Sequence, residues 1–214
     1  MRILPCGDRA VLVEVDDGPS RRRLDAALRR QPPQGVVEQV PGARTVLVRV
    51  GAAGDVPGLV AAVRAVAGGA LQGSEPAQGD PQARLEETVR ISVRYDGPDL
   101  EEVAHLLAVP PEEVVRRHTS QSWTVEFSGF APGFGYLLGD EGGLDVPRRA
   151  SPRTRIPPGS VALGGPFTGV YPRPSPGGWQ LIGSTDARLW DPDRDPPALF
   201  APGARVRFAD VRQE

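Results

Sequence analysis

The sequence contains no lysine, so all 25 of its basic residues are arginine. This absence excludes a Schiff-base lysine and the phosphate-binding GxxxxGK[ST] loop, so a nucleotide would not be held here by a P-loop. The net charge of −2 is close to neutral. Nothing in that total favours nucleic acid or an anionic membrane surface as a partner, and we expect neither.

Cysteine, histidine and long apolar runs are also scarce. Cys6 is the sole cysteine, which excludes an intrachain disulfide and a cysteine zinc cluster and fits a reducing compartment. Acidic residues from Asp8 onward come too early for a secretory leader, and no run approaches the length of a membrane span. We therefore expect a cytoplasmic protein without a metal site built from cysteine and histidine, while a carboxylate Mg²⁺ site stays open.

Glycine and proline, in contrast, are abundant between Ser128 and Gly183, where 13 of 56 residues are glycine and nine are proline. Such a composition excludes long helices. Disordered tracts of this composition lack aromatic residues, but this segment contains six: Phe130, Phe134, Tyr136, Phe167, Tyr171 and Trp179. We predict ordered loops that wall a pocket.

The first part of the chain predicts a small α+β domain, residues 1–84 with a linker at the end. Helical and alternating apolar patterns give a strand at 10–15, a helix at 20–30 capped by Ser20, strands at 35–40 and 45–50, and a helix at 56–67. Pro41-Gly42 predicts a hairpin between the two strands, and Gly68-Gly69 a helix stop. Residues 71–84 have a linker composition.

The second part, residues 85–214, predicts a mainly-β domain. The pattern gives a strand at 88–95, helices at 99–107 and 110–118, and short β runs at 123–127, 160–163, 180–182 and 205–208. Short strands separated by turns are typical of a closed or nearly closed β-barrel. The fold class is therefore an α+β N-terminal domain followed by a mainly-β barrel.

Two histidines are the first candidates for acid–base chemistry. His118 lies where a helix gives way to a strand, and its near-neutral pKa would suit proton transfer to an amide nitrogen or carbonyl oxygen. The alternative is a histidine that caps the helix end by bonding a free carbonyl, and both remain open. We expect His105, in mid-helix, to be structural or exposed.

Four arginines, Arg148, Arg149, Arg153 and Arg155, lie within eight residues. Guanidinium groups bind carboxylate or phosphate in a bidentate manner, which would suit a small acidic substrate. We favour a solvated or salt-bridged role for Arg148 and Arg149 and leave both roles open for Arg153 and Arg155.

Three blocks of the chain resemble the family of the B subunit of 5-oxoprolinase. They are FSGFAPGFGYL at 127–137, PRTRIPPGSV at 152–161 and SPGGWQLIG at 175–183. The same family includes sporulation histidine-kinase inhibitors and the allophanate hydrolase subunit 1 domain of urea carboxylases. The resemblance implies that the second domain is a cyclophilin-like β-barrel.

The resemblance also implies a function and partners. It implies one component of an ATP-dependent enzyme that opens 5-oxo-L-proline, a small cyclic amide, to L-glutamate together with homologues of the A and C subunits of 5-oxoprolinase. ATP would be used on a partner, and this chain would bind no cofactor. The alternatives are a histidine-kinase inhibitor and a component of a urea- or allophanate-type amidohydrolase or carboxylase.

Candidate site residues follow from the motif positions. His118 and Arg155 are the catalytic candidates. The substrate-binding candidates are Gly129, Phe130, Pro132, Gly133, Phe134, Tyr136, Arg153, Gly164, Gly165, Thr168, Tyr171 and Trp179.

Two positions depart from the family pattern. Gly135 replaces a common proline, and we expect a looser turn there. Phe167 replaces a common glutamine, so amide recognition at that position would be lost.

Overall fold

The computed structural model describes residues 1–52, 54–72 and 88–212. The chain divides into two compact units, residues 1–82 and 83–214. The boundary predicted between residues 84 and 85 lies outside the described residues, as does most of the predicted linker. In the described part of the chain, no helix is long and apolar enough to cross a membrane.

The first unit has two helices and a four-stranded antiparallel sheet of order β1-β2-β4-β3. Its elements are β1 (Arg2–Pro5), β2 (Ala10–Glu14), α1 (Gly18–Arg30), β3 (Val36–Pro41), β4 (Thr45–Val50) and α2 (Val56–Gln72). Leu24 and Leu28 of α1 and Val63 of α2 are buried in one core with the sheet. The predicted hairpin is confirmed, because β3 pairs with β4 in antiparallel register around Pro41 and Gly42.

Two expectations for this unit were wrong in detail, and one strand was not predicted. Helix α1 begins earlier than predicted, because the Asp17 carboxylate accepts a hydrogen bond from the Ser20 backbone N–H at 2.7 Å and caps the helix. Helix α2 continues through Gly68 and Gly69 to Gln72, where Leu71 packs against the core. Strand β1, which was not predicted, pairs with β2.

The second unit has two helices and a seven-stranded sheet of order β12-β9-β10-β7-β6-β13-β5, with a separate β8–β11 ribbon. Its elements are β5 (Val89–Val93), α3 (Leu100–Leu106), α4 (Pro111–Ser120), β6 (Trp123–Ser128), β7 (Gly135–Gly139), β8 (Arg153–Ile156), β9 (Ser160–Gly164), β10 (Phe167–Val170), β11 (Ser175–Gly177), β12 (Gln180–Ser184) and β13 (Arg205–Asp210). Six strands, β7 to β12, lie wholly or mostly in the segment from Ser128 to Gly183. Strands β9 and β12 were predicted, whereas β7, β8, β10 and β11 were not. The strand pairing there overrides the local preference of glycine and proline.

The seven strands form a nearly closed barrel, as predicted. The chain after β5 meets β12, where Arg94 and Ser184 each donate a backbone N–H to the other's carbonyl at 2.8 Å. Gly97 continues this contact with a hydrogen bond to the Ile182 carbonyl, and backbone atoms of β12 leave no space for a side chain there. The sheet is mixed, because β13 runs parallel to β5.

A β-bulge in β6 separates two apolar clusters. Val125 is opposite Leu137, but Phe127 is opposite Tyr136, so one extra residue lies between them on β6. The shift turns Phe127 to the face opposite Val125. Val125 and Leu137 lie in the main core of the barrel, whereas Phe127 stacks on Tyr136 with ring centroids 4.4 Å apart. The outer face of the sheet thereby carries a second cluster, which is aromatic.

Candidate functional site

The aromatic cluster brings together the six aromatic residues that the sequence singled out. Phe134, Tyr171 and Trp179 form its buried floor, and Phe130, Tyr136 and Phe167 reach the surface. Phe134 lies at the centre, with ring centroids 5.3 Å from Tyr171 and 5.5 Å from Trp179. Most of the contacts are edge-to-face, which is a favourable geometry for aromatic pairs.

Glycines make this packing possible. A Cβ at Gly164 would lie 2.7 Å from the ring of Trp179, and one at Gly169 would lie 2.9 Å from Phe134. Gly164, expected to lie where a ligand or a strand approaches, therefore accommodates the Trp179 ring. Gly165 has a φ of 57° and turns the chain between β9 and β10.

The loop from Gly129 to Gly133 presents Phe130 to solvent. Phe130 has a φ of 65°, which is uncommon for a residue with a side chain, and it is 54% exposed. Its ring nevertheless contacts Phe134 and Tyr171, at 5.3 and 5.9 Å between centroids. Gly133 has a φ of 83° and lies against Trp190, while Pro132 is exposed. Strained backbone of this kind is concentrated at functional sites.

Arg148 lies over the aromatic cluster. Its guanidinium carbon is 6.0 Å from the centroid of the Trp179 ring. Burial, followed by the neighbouring Tyr136, raises the pKa of Tyr171 to about 12, although Arg148 acts in the opposite direction. Burial also raises the pKa of Tyr136 against the charge of Arg148. Both hydroxyls therefore stay protonated at neutral pH and can donate hydrogen bonds.

Arg153, expected to bind substrate, is instead held by Asp99. Its two terminal nitrogens donate to the two carboxylate oxygens at 2.8 Å each, and Arg149 donates to the same carboxylate at 2.7 Å. Arg153 and Arg149 thus anchor the loop to the beginning of α3. Arg155 is exposed on β8, and its neighbour Ile156 joins the aromatic cluster.

His118 is fully buried between α4 and the barrel. Thr168 donates its hydroxyl hydrogen to the Ala162 carbonyl at 3.1 Å, so its oxygen accepts from Nε2–H of His118. Nδ1 of His118 then accepts from the Tyr95 hydroxyl at 2.7 Å. This assignment gives a neutral imidazole with both nitrogens bonded, and burial lowers its pKa to about 3.

In this conformation the buried position of His118 fits neither role considered for it from the sequence. A side chain without exposure cannot exchange a proton with a ligand in this conformation. The free carbonyl of His118 at the helix end is bonded by the indole N–H of Trp123 at 3.0 Å, not by an imidazole. Thr168, expected to bind substrate, is also buried in this inner network.

The two departures from the family pattern have packing consequences. Gly135 lies in β7 without a positive φ, and a Cβ there would be 2.9 Å from Phe200. The expected looser turn is therefore wrong. Phe167 packs edge-on against Phe127 and Tyr136, with centroids 5.7 and 5.8 Å away.

Two residues of the site were missed by sequence reasoning. In the sequence pattern Asp99 is only part of an acidic helix start, and Arg148 belongs to a solvated loop. Neither the three arginine–carboxylate hydrogen bonds nor the Trp179 ring beneath Arg148 has a signal in local sequence spacing. Among the described residues, no group of three or more His, Cys, Asp or Glu side chains could hold a metal ion.

The chain is similar to proteins named as the B subunit of 5-oxoprolinase. The one from Escherichia coli O157:H7 is 46% identical over 134 residues, which are 63% of this chain and 62% of that protein. The one from Bacillus subtilis (strain 168) is 46% identical over 129 residues, 59% of this chain and 54% of that protein. The matches therefore span less than two thirds of either relative.

The fold is also that of a solved structure. The Kluyveromyces lactis urea carboxylase has a TM-score of 0.75 and 20% identity, covering 98% of this chain and 21% of that chain. This likeness supports the expected cyclophilin-like barrel. The family described as carboxyltransferase domain, subdomain C and D, matches residues 1–200. The chain therefore belongs to the family of carboxyltransferase domains, subdomains C and D.

Proposed function

We propose that this chain is the B subunit of an ATP-dependent 5-oxoprolinase and contributes, with homologues of the A and C subunits, to the hydrolysis of 5-oxo-L-proline to L-glutamate. The observation that carries the proposal is the 46% identity to two proteins with that name. The aromatic cluster is compatible with it, because it offers apolar surface, the Tyr136 hydroxyl donor and the Arg148 cation to a small acidic ring.

The chemistry assigned to this chain is positioning. His118 is buried and neutral, and the sequence has no lysine and no P-loop. We therefore assign ATP to a partner protein and no cofactor to this chain. A surface that holds a small ligand in one orientation lowers the barrier of a step completed by groups from another protein. The working compartment under this proposal is the cytoplasm.

A histidine-kinase inhibitor is the second candidate. That alternative calls for an exposed apolar surface on the barrel. Phe130 is 54% exposed and Trp190 is 40% exposed. Gly133, three residues after Phe130 in the same loop, packs against Trp190. These two side chains favour a protein-binding role for the same loop.

The test is reconstitution. The chain is purified with its A and C homologues, and ATP hydrolysis dependent on 5-oxo-L-proline is measured together with glutamate formation. We expect activity from the full set and a loss on leaving out any one of the three proteins. Activity of this chain alone, or none from the full set, contradicts the proposal. Urea and allophanate serve as parallel substrates for the carboxylase-type alternative.

A further inference from the structure

Arg148 differs from the other arginines of its loop in what surrounds it. Arg149 and Arg153 are bound to Asp99. Arg148 is exposed, and within the described residues no carboxylate pairs with it. Its charge is therefore not neutralised by this part of the chain, although the residue next to it reaches a buried acidic group.

Trp179 lies beneath Arg148. A guanidinium group over an indole face is attracted by the ring and keeps its N–H edges free. The 6.0 Å separation from the ring centroid fits such a contact. Trp179 is in turn held by Phe134 and Tyr136, at 5.5 Å from each. A cation on a rigid aromatic support is oriented before any ligand arrives, which reduces the entropy lost on binding.

The hydroxyl of Tyr136 completes the arrangement, while that of Tyr171 lies in the buried floor. Tyr136 and Tyr171 both lie close enough to Arg148 to respond to its charge. The Tyr136 hydroxyl makes no hydrogen bond to a described residue, and its ring is only half-buried. Beside it, Phe167 and Phe130 present apolar edges at the surface. A cation, the neutral Tyr136 donor and apolar surface therefore occur on one side of the barrel.

We propose that Arg148 binds the carboxylate of a small cyclic amide acid, with the Tyr136 hydroxyl as a second donor and the ring of the ligand against Phe130 and Phe167. This inference rests on the proposed function and assigns the carboxylate-binding role to Arg148 instead of Arg153. The residue acts in binding and orientation and carries out no bond-making step.

The test measures both binding and turnover. Calorimetry gives the dissociation constant of 5-oxo-L-proline for the full chain, and the reconstituted complex gives its KM in ATP hydrolysis. We expect R148Q to weaken binding and raise KM by roughly 10- to 100-fold, since one charge-assisted, bidentate contact is lost. R148K keeps the positive charge but lacks the planar guanidinium group, so its dissociation constant and KM should lie between those of the wild type and R148Q. R173Q, which changes an exposed arginine of the same domain, is the matched control and should match the wild type.

Comparison with a neutral ligand isolates the contribution of the ligand carboxylate to binding. 5-Oxo-L-prolinamide lacks the negative charge, so the wild type and R148Q should bind it within about threefold of each other, a difference small against the roughly tenfold effect of a lost charged contact. An equal loss for the acid and its amide would contradict the assignment, because Arg148 would then act through packing on Trp179.

The outcomes separate this inference from the proposed function. If the complex hydrolyses ATP with 5-oxo-L-proline while R148Q leaves KM and the dissociation constant unchanged, the inference is overturned and the function stands. If the chain binds 5-oxo-L-proline through Arg148 while the complex has no activity, the function fails and the inference stands. If R148Q prevents co-elution with the partners and leaves ligand binding intact, the cation serves an interface and the inference is overturned. No binding to either the chain or the complex overturns it as well.

Discussion

Arg153 donates hydrogen bonds to both carboxylate oxygens of Asp99, at 2.8 Å each, and so links strand β8 to the beginning of α3. The backbone N–H of Leu181 donates to the same carboxylate at 2.7 Å. Three segments distant in the chain thus converge on one buried carboxylate, whose side chain is 4% exposed. The β8–β11 ribbon, whose Ile156 belongs to the aromatic cluster, is positioned by this contact.

Removing the charge of Asp99 should destabilise the protein strongly. Asp99→Asn leaves Arg153 and Arg149 without their counter-charge, and we expect the free energy of unfolding to fall by about 3–5 kcal/mol. Urea denaturation of the full chain measures this loss. Asp186→Asn is the control, because Asp186 pairs with Arg94 at the surface and its loss should leave the free energy of unfolding almost unchanged. Equal losses for the two variants would contradict a structural role for the buried pair.

The same pair predicts a dependence on pH. Burial raises the pKa of Asp99, but the hydrogen bonds from Arg153 and Leu181 and the charges of both arginines outweigh burial, so its pKa is lowered overall. The folded state then holds fewer protons than the unfolded state, and this stabilisation is present above about pH 4 and lost as pH falls. Measured against pH, the stability difference between wild type and Asp99→Asn should shrink on acidification. A stability difference between the two proteins that does not change with pH would contradict a lowered pKa of Asp99.

His118 should act as a buried neutral group. Its pKa falls from about 6.5 in the unfolded chain to about 3 in the folded one. Its contribution to stability is therefore complete above about pH 6.5 and is lost as pH falls towards 3, by on the order of 5 kcal/mol. Chemical denaturation of wild type and His118→Leu across this range isolates the effect, which the variant should lack.

A double variant separates this structural role of His118 from catalysis. His118→Leu alone leaves the buried Tyr95 hydroxyl without its acceptor, whereas adding Tyr95→Phe removes that unpaired donor and should recover about 1–3 kcal/mol. If His118 instead transfers protons to a ligand, the double variant will be stable, but the reconstituted complex that contains it will differ from the wild-type complex in the pH profile of kcat. An unchanged profile is expected.

The sequence predicted the type of fold better than the roles of single side chains. Alternating and helical patterns found both helices of each unit and most of the strands, because those patterns reflect local burial. They did not find β1, β7 or β10, nor β8 and β11, which among the described strands pair with each other alone. They also could not tell Arg148 from Arg153, since the difference lies in Asp99, about 50 residues away. Motif matching likewise placed His118 near the site, while the fold turns it into the barrel.

Gly164 should be intolerant of a side chain. The Cβ of Gly164→Ala would lie 2.7 Å from the Trp179 ring, and displacement of that ring should cost about 1–3 kcal/mol. A shift in tryptophan fluorescence should accompany the loss of stability in thermal denaturation. Gly178→Ala is the control, because its Cβ would have its nearest neighbour at an ordinary 3.6 Å. A Gly164 variant with wild-type stability and fluorescence would contradict the packing argument.

Helix α2 offers a stabilising change, because it continues through the two glycines that were expected to stop it. A Cβ at Gly68 or Gly69 meets no atom within 4 Å, and neither residue has a positive φ. Alanine is preferred over glycine inside a helix by about 1 kcal/mol. Gly68→Ala and Gly69→Ala should therefore each raise the free energy of unfolding, measured by urea denaturation, by up to that amount, since the helix loses flexible positions and gains no clash. A Cβ at Gly35 also meets no atom within 4 Å, but Gly35 has a φ of 79°. Gly35→Ala should therefore lower the free energy of unfolding, because the backbone conformation and not the available space decides whether alanine stabilises.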